Sequence, residues 1–178
     1  IDIVRRLTGG KAVFHDKEVT YSFILPENSN LLPFEINESY RITANALVIA
    51  LKKIGIKAEI KKTPERIATP ICFNSSNWHE LLVNNKKISG SAQRRMNAKI
   101  LQHGSILFDF DCNKNSSLFN SNKLIDSIYN LEKRITSIKN ELKKINKNNC
   151  NKINYKEFAE AIQSGFKENF GFDIFNFL

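Results

Sequence analysis

The stretch Glu80-Leu81-Leu82-Val83-Asn84-Asn85-Lys86-Lys87-Ile88-Ser89-Gly90-Ser91-Ala92-Gln93-Arg94-Arg95, continued by Lys99 to Asp111, decides how this chain folds. Glu80 to Val83 and Lys86 to Ser89 flank the pair Asn84-Asn85. Asparagine tolerates the left-handed backbone of a two-residue hairpin turn, although Asn-Gly is the stronger signal. Ser91 to Arg95 and Lys99 to Asp111 read as further strands. Ile106, Phe108 and Phe110 alternate with Leu107 and Asp109, the period-two pattern of a strand.

Outward from there, Val19 to Leu25 is a strand rich in β-branched and aromatic residues, closed by Pro26. Ile1, Ile3 and Val4 suggest an earlier strand and Ala12-Val13-Phe14 another, with Thr8-Gly9-Gly10 as the turn between them. Asn37 or Ser39 can cap a helix that carries Tyr40, Ala44, Leu47, Leu51 and Ile54 on one face, with Gly55 just past its end. Ile56 to Ile60 alternates as a strand, and a loop with Pro64 and Pro70 leads to Cys72. Downstream, Leu124, Ile128, Leu131, Ile135, Ile138, Leu142 and Ile145 repeat at heptad spacing. One or two amphipathic helices packed on the sheet explain that better than a coiled coil, because the seam only reaches the lower length limit of about three heptads. Tyr155 to Phe170 gives a last helix with Phe158, Ala159, Ile162 and Phe166 inward and Gly171 as its stop.

Strands first and helices last imply an α+β (α/β) fold with a mixed, largely antiparallel sheet and packed helices. The expected organisation is a single domain over 1–178. Residues 1–111 form a sheet-rich core with the reactive motifs, and 121–178 are mainly helical. Because the chain opens at Ile1 within a strand pattern, it is read as truncated at its N-terminus.

Composition narrows the function. The 178 residues are 42% hydrophobic and 25% charged, which excludes wholesale disorder and collagen-like sequence. No apolar run approaches the roughly 20 residues of a membrane span. Cys72, Cys112 and Cys150 are odd in number and lack a C-x-x-C pair, so neither a disulfide framework nor a zinc site is expected and a reducing, cytoplasmic setting is. The net charge of +9 attracts acidic partners. The aromatics are mostly phenylalanine, 13 in all, and many sit in apolar patterns that read as core and not as a stacking platform for bases, and no nucleic-acid motif accompanies the charge.

Three segments gather reactive and permissive residues. The first is Arg5-Arg6-Leu7-Thr8-Gly9-Gly10-Lys11-Ala12-Val13-Phe14-His15-Asp16, where paired glycines let backbone approach a ligand. It lies between strands and opens no helix, so it fits neither a P-loop nor a dinucleotide-binding turn. The second is Thr69-Pro70-Ile71-Cys72-Phe73, at the end of an irregular loop. The third holds Lys87, the small residues Gly90, Ser91 and Ala92, then Gln93, and further on Gln102-His103-Gly104-Ser105. A lysine facing a cleft stabilises an oxyanion or a thiolate. Taken singly, these are a basic-rimmed turn, an inert thiol and a solvated hairpin lysine.

As an ordered set they are far more specific. R-R-x-T-G-G-K-A-V-x-H-D, P-x-C-F, K-I-x-G-S-A-Q-x-R and Q-H-G-S-I-L resemble the lipoate–protein ligase and octanoyltransferase superfamily in order and spacing, strongly over Ile3 to Asp111 and loosely beyond. The resemblance is closest to the cysteine-dependent octanoyltransferase type, because Lys11 stands where the ligases carry a third glycine and because Cys72 stands where that type carries its nucleophile.

The resemblance implies a biotin ligase-like, class II synthetase-like catalytic domain, of which this chain is expected to lack an N-terminal strand and helix and, at its C-terminus, a continuation past Leu178. It implies that Cys72 takes an octanoyl group from octanoyl-acyl carrier protein as a thioester, and that the lysine of a lipoyl-accepting protein then removes it as an amide. The acceptor would be a glycine-cleavage H protein or a dehydrogenase lipoyl domain. Lys87 would activate the thiol and polarise the acyl carbonyl. Arg6, Thr8, Gly9, Gly10, Lys11, His15, Gly90, Ser91, Ala92, Gln93, His103 and Gly104 would bind substrate. No cofactor is implied. ATP and magnesium enter only under the alternative of an ATP-dependent ligase, and an amidotransferase between proteins is a second alternative. A monomer without nucleic-acid or membrane partners is expected.

Overall fold

The computed structural model describes residues 2–9, 12–61, 79–118, 131–145 and 153–171. Glu18–Pro26 forms β1, Ile36–Lys53 α1, Glu59–Ile60 β2, Leu81–Val83 β3, Lys86–Lys87 β4, Ser89–Met96 β5, Lys99–Leu107 β6, Cys112–Leu118 α2, Ile138–Ile145 α3 and Tyr155–Phe170 α4. Among the described residues these strands make two antiparallel sheets, ordered β1-β6-β5 and β2-β3-β4. The hairpin at Asn84-Asn85 forms as its residues predict, with both at positive φ (51° and 61°). Asn97-Ala98 turns β5 into β6 in the same way (φ 53° and 57°), although alanine gives no sequence signal for such a backbone.

The pleat of the larger sheet decides what faces what. Ser22 and Ala92 flank His103, and Thr20 and Gly90 flank Ser105, so these polar and small residues share one face with Glu18. The other face carries Val19, Tyr21, Phe23 and Ile106 into the main core with Leu47, Leu51, Phe158 and Phe166. Helices α1 and α4 cover that second face. They meet through small residues: a Cβ on Gly165 would lie 2.4 Å from the Ala46 carbonyl oxygen and 2.9 Å from the Ala50 nitrogen. Asn169 donates to the Ile42 carbonyl, and Lys53 pairs with Glu168 at 2.8 Å.

Several sequence expectations shift. The described residues before Glu18 are not strands. They lie against the polar face of the sheet, where the Leu7 carbonyl accepts from Arg94 and Thr8 meets His103. Glu35, not Asn37 or Ser39, caps α1: its carboxylate accepts from the Asn37 and Glu38 N–H groups. Ser39 is buried instead, donating to the Pro33 carbonyl. The strand expected over 56–60 shrinks to Glu59–Ile60. The heptad seam is interrupted: 131–134 are helical, Thr136-Ser137 are not, and Ile138–Ile145 is helical again. Leu131, Ile135 and Ile138 are buried within the domain, and 124 and 128 lie outside the described residues. The last helix runs Tyr155–Phe170 with an Asn154–Glu157 capping box and Gly171 in the left-handed region (φ 72°).

The C-terminal helices brace the hairpin. Thr136 N–H donates to the Lys87 carbonyl, and Lys87 bridges to Ile135. The buried Glu141 carboxylate accepts from Asn84 (2.8 Å), Thr136 and Lys144 (2.6 Å). Burial alone would raise the Glu141 carboxyl, but the hydrogen bonds from Lys144 and Thr136 and the Lys144 charge outweigh it and hold it below its ordinary value. A depressed folded value means the stability it brings is complete above the ordinary carboxylate range and is lost as pH falls through the lowered value. Glu141→Ala is therefore expected to cost about 2 kcal/mol at neutral pH, and the loss should shrink in acid. Urea midpoints at neutral and acid pH, compared between the two proteins, check both parts.

Candidate active site

The polar face of the larger sheet forms the floor of a cleft. Gly90, Ser91, Ala92, His103, Gly104 and Ser105 line it from below, Arg6, Val13 and His15 lie across it, and Glu80 and Lys87 close one end. Apart from Glu80, these residues come from three separate sequence motifs, and the fold brings them together.

Lys87 is the decisive placement. The solvated hairpin lysine that the sequence allows does not occur: Lys87 is 3% exposed. Its Nζ donates to Glu80 Oε1 at 2.6 Å, and the Glu80 side chain is buried as well. Burial of a lysine without a countercharge would cost several kcal/mol. Glu80 was missed by sequence reasoning, yet the hairpin encodes it. Leu82 pairs with Lys87, so Glu80, two residues earlier, lies diagonally from Lys87 on the same face.

His103 and Thr8 form a second contact across the cleft. Thr8 is buried, and its Oγ1 lies 2.7 Å from His103 Nε2. Burial, followed by the nearby charges of Arg6 and His15, lowers the His103 pKa, which favours the neutral ring at neutral pH. His15 contacts Glu18 through Nδ1 at the foot of β1. A side chain at Gly9 would meet no atom within 4 Å, so nothing among the described residues requires glycine there.

Two of the expected substrate contacts point elsewhere. Gln93 donates its amide to Gln102 Oε1 at 2.9 Å, and the pleat places it on the face opposite Ala92. Ser91 turns its hydroxyl to Tyr21 OH (2.7 Å), so only its backbone reaches the cleft. Gly104 serves the packing below: its absent Cβ would lie 2.5 Å from the Gly90 carbonyl oxygen, 2.8 Å from Tyr21 and 2.9 Å from the Ser91 hydroxyl. Gly10, Lys11, Cys72 and Cys150 lie outside the described residues. Cys112 is placed, in a separate groove past the C-terminal end of β6, lined also by Lys86, Asp109 and Glu132. Burial pushes its thiol up to about 11, and the charges of Glu132 and Asp111 add to this. That makes it a poor nucleophile.

The model of the lipoyl protein ligase A/B catalytic domain matches residues 1–167. The chain belongs to that family. Among curated relatives of this lipoyl ligase-family chain, it is 35% identical over 184 residues to octanoyltransferase LipM of Staphylococcus aureus, covering 97% of this chain and 64% of that protein. It is 34% identical over 175 residues to octanoyltransferase LipM of Bacillus subtilis, covering 94% and 62%. The chain thus spans less than two thirds of the length of these relatives. Its fold is that of lipoate-protein ligase A bound with ATP (TM-score 0.71, 20% identity, 97% of this chain and 60% of that one). It is also similar to the biotin protein ligase of Aquifex aeolicus (TM-score 0.51, 18% identity, 86% and 53%). The expected biotin ligase-like, class II synthetase-like architecture is therefore present. No helix among the described residues is long and apolar enough to cross a membrane.

Proposed function

We propose that this chain is the catalytic part of a cytoplasmic octanoyltransferase. It moves an octanoyl group from acyl carrier protein to a lysine of a lipoyl-accepting protein through a thioester on Cys72. The observation that carries the reading is the buried Lys87 cation at the end of a cleft floored by small residues, in a chain whose curated relatives are octanoyltransferases.

Chemically, a thioester intermediate suits the task. Exchange between thiol and thioester is nearly neutral, and amide formation from the thioester is downhill, so no ATP or magnesium is needed. Cysteine attacks as thiolate, and the Lys87 ammonium supplies positive charge for that thiolate and for the oxyanion of the tetrahedral intermediate. Glu80 fixes the ammonium in place. The strip Gly90-Ser91-Ala92 and the glycine at position 9 leave room for an acyl chain. Burying that chain contributes up to about 0.8 kcal/mol per methylene, enough to select length. The charge of +9 steers acidic carrier and acceptor domains to the cleft.

The test uses the full-length enzyme with octanoyl-acyl carrier protein and a lipoyl-accepting domain, without ATP. The acceptor is expected to gain one octanoyl group by mass. Modification that appears only with ATP and free lipoate or octanoate would identify a ligase. Modification only from an already octanoylated protein would identify an amidotransferase.

A further inference from the structure

The Glu18 side chain is 4% exposed, yet it sits at the first residue of β1 beside the cleft. One carboxylate oxygen contacts His15 Nδ1. The other, Oε2, is buried and has no hydrogen-bond partner of good geometry among the described residues, with the Ser105 hydroxyl of β6 as a polar neighbour of the carboxylate. A carboxylate is withdrawn from water at a cost unless a cation or donors meet it. Among the described residues, the group in contact with it that can carry the opposite charge is the His15 imidazole, and that imidazole lines the cleft. With Nδ1 donating to Glu18, Nε2 on the far side of the ring is the basic nitrogen.

From this geometry we infer that His15 is the general base that takes a proton from the acceptor's lysine ammonium, with Glu18 as the positioning residue behind it. The inference rests on the octanoyl-transfer reading. Lysine arrives as an ammonium, with no lone pair to attack. One N–H proton passes to His15 Nε2. The freed amine nitrogen attacks the thioester carbonyl, the C–N bond forms and the C–S bond breaks. The sulfur leaves with the electron pair and takes the nitrogen's second proton, while His15 releases the first to water. The imidazolium formed on the way lies against Glu18, which gains the cation its burial calls for.

The surrounding charges fit this division of roles. Arg6 from the opening segment, His103 on β6 and the Lys87–Glu80 pair share the cleft with His15. Asp16 beside it is held by Lys114 of α2 at 2.9 Å. Burial raises the Glu18 pKa, against the lowering by His15 and Ser105. Such a carboxyl lends the fold less support as pH rises through its titration. Glu18→Gln should therefore be no less stable than the parent at neutral pH, so a defect in it reports on chemistry.

The experiment compares two nucleophiles on the octanoyl-loaded full-length enzyme at neutral pH. One is the lysine of a lipoyl-accepting domain. The other is hydroxylamine, which is already neutral and needs no base to attack. The ratio of lysine to hydroxylamine discharge is expected to fall about 100-fold in His15→Gln and about tenfold in Glu18→Gln. A ratio unchanged in both variants overturns the inference while leaving octanoyl transfer standing. Failure of the unsubstituted enzyme to load at all overturns the transfer reading and the inference with it.

Discussion

Lys87→Ala is expected to lower octanoyl transfer by about 10²–10³-fold and to destabilise the protein by about 3–5 kcal/mol. The two losses have different origins. The first is removal of a cation placed where a thiolate and an oxyanion develop. The second arises because Glu80 keeps a buried carboxylate without the ammonium 2.6 Å away. A double substitution separates them. With Lys87→Met and Glu80→Met together, both charges leave the interior, and well-packed apolar replacements of a buried pair are often neutral in stability. Urea unfolding should then recover toward the parent while transfer stays lost. Recovery of transfer along with stability would make Lys87 a structural lysine only.

The second large effect is at Gly104. Gly104→Val is expected to cost about 3 kcal/mol, the upper end for overpacking, and to abolish transfer. Strand β6 lies between β1 and β5, so it has no free edge toward which to move. The atom nearest the missing Cβ, the Gly90 carbonyl oxygen at 2.5 Å, is backbone of β5. Making room displaces the strand that carries Gly90-Ser91-Ala92 along the cleft. Gly9→Ala is the matched comparison. Its Cβ meets nothing within 4 Å, so stability should stay within about 0.5 kcal/mol, and a fall in transfer there would report contact with substrate. Denaturant midpoints and initial rates for the two variants provide the check.

How much of this was legible in the sequence depended on whether the signal was local. Asn84-Asn85 announced its hairpin because a turn is specified by the residues in it. Tyr155 to Phe170 was legible from end to end, since Asn154, Glu157 and Gly171 mark its termini chemically. Residues 3–9 and 12–14 misled, because Ile3, Val4 and Val13 carry strand propensity, yet only Ala12 makes an isolated bridge, and whether such a segment pairs along its length depends on tertiary context that propensity cannot supply. The cap of α1 misled because three polar residues, Glu35, Asn37 and Ser39, compete within five positions, and the buried Ser39 is drawn to Pro33. In the site, lysine and glycine motifs were visible, but their counterparts were not. Glu80 and Glu18 look like ordinary strand-end carboxylates. Only register and burial turn the first into the partner of Lys87 and the second into the partner of His15. Conversely, Gln93 sits within a motif but belongs to the opposite face, since a strand shows only every second side chain to its cleft.

The central claim is that octanoyl passes through a thioester on this chain, and intact-mass spectrometry of the full-length enzyme mixed with octanoyl-acyl carrier protein, without ATP, tests it most directly. The account predicts a gain of one octanoyl group, removed by hydroxylamine and absent in Cys72→Ser. An unmodified enzyme that nevertheless adenylates lipoate when ATP is supplied, with Cys72→Ser equally active, would contradict it.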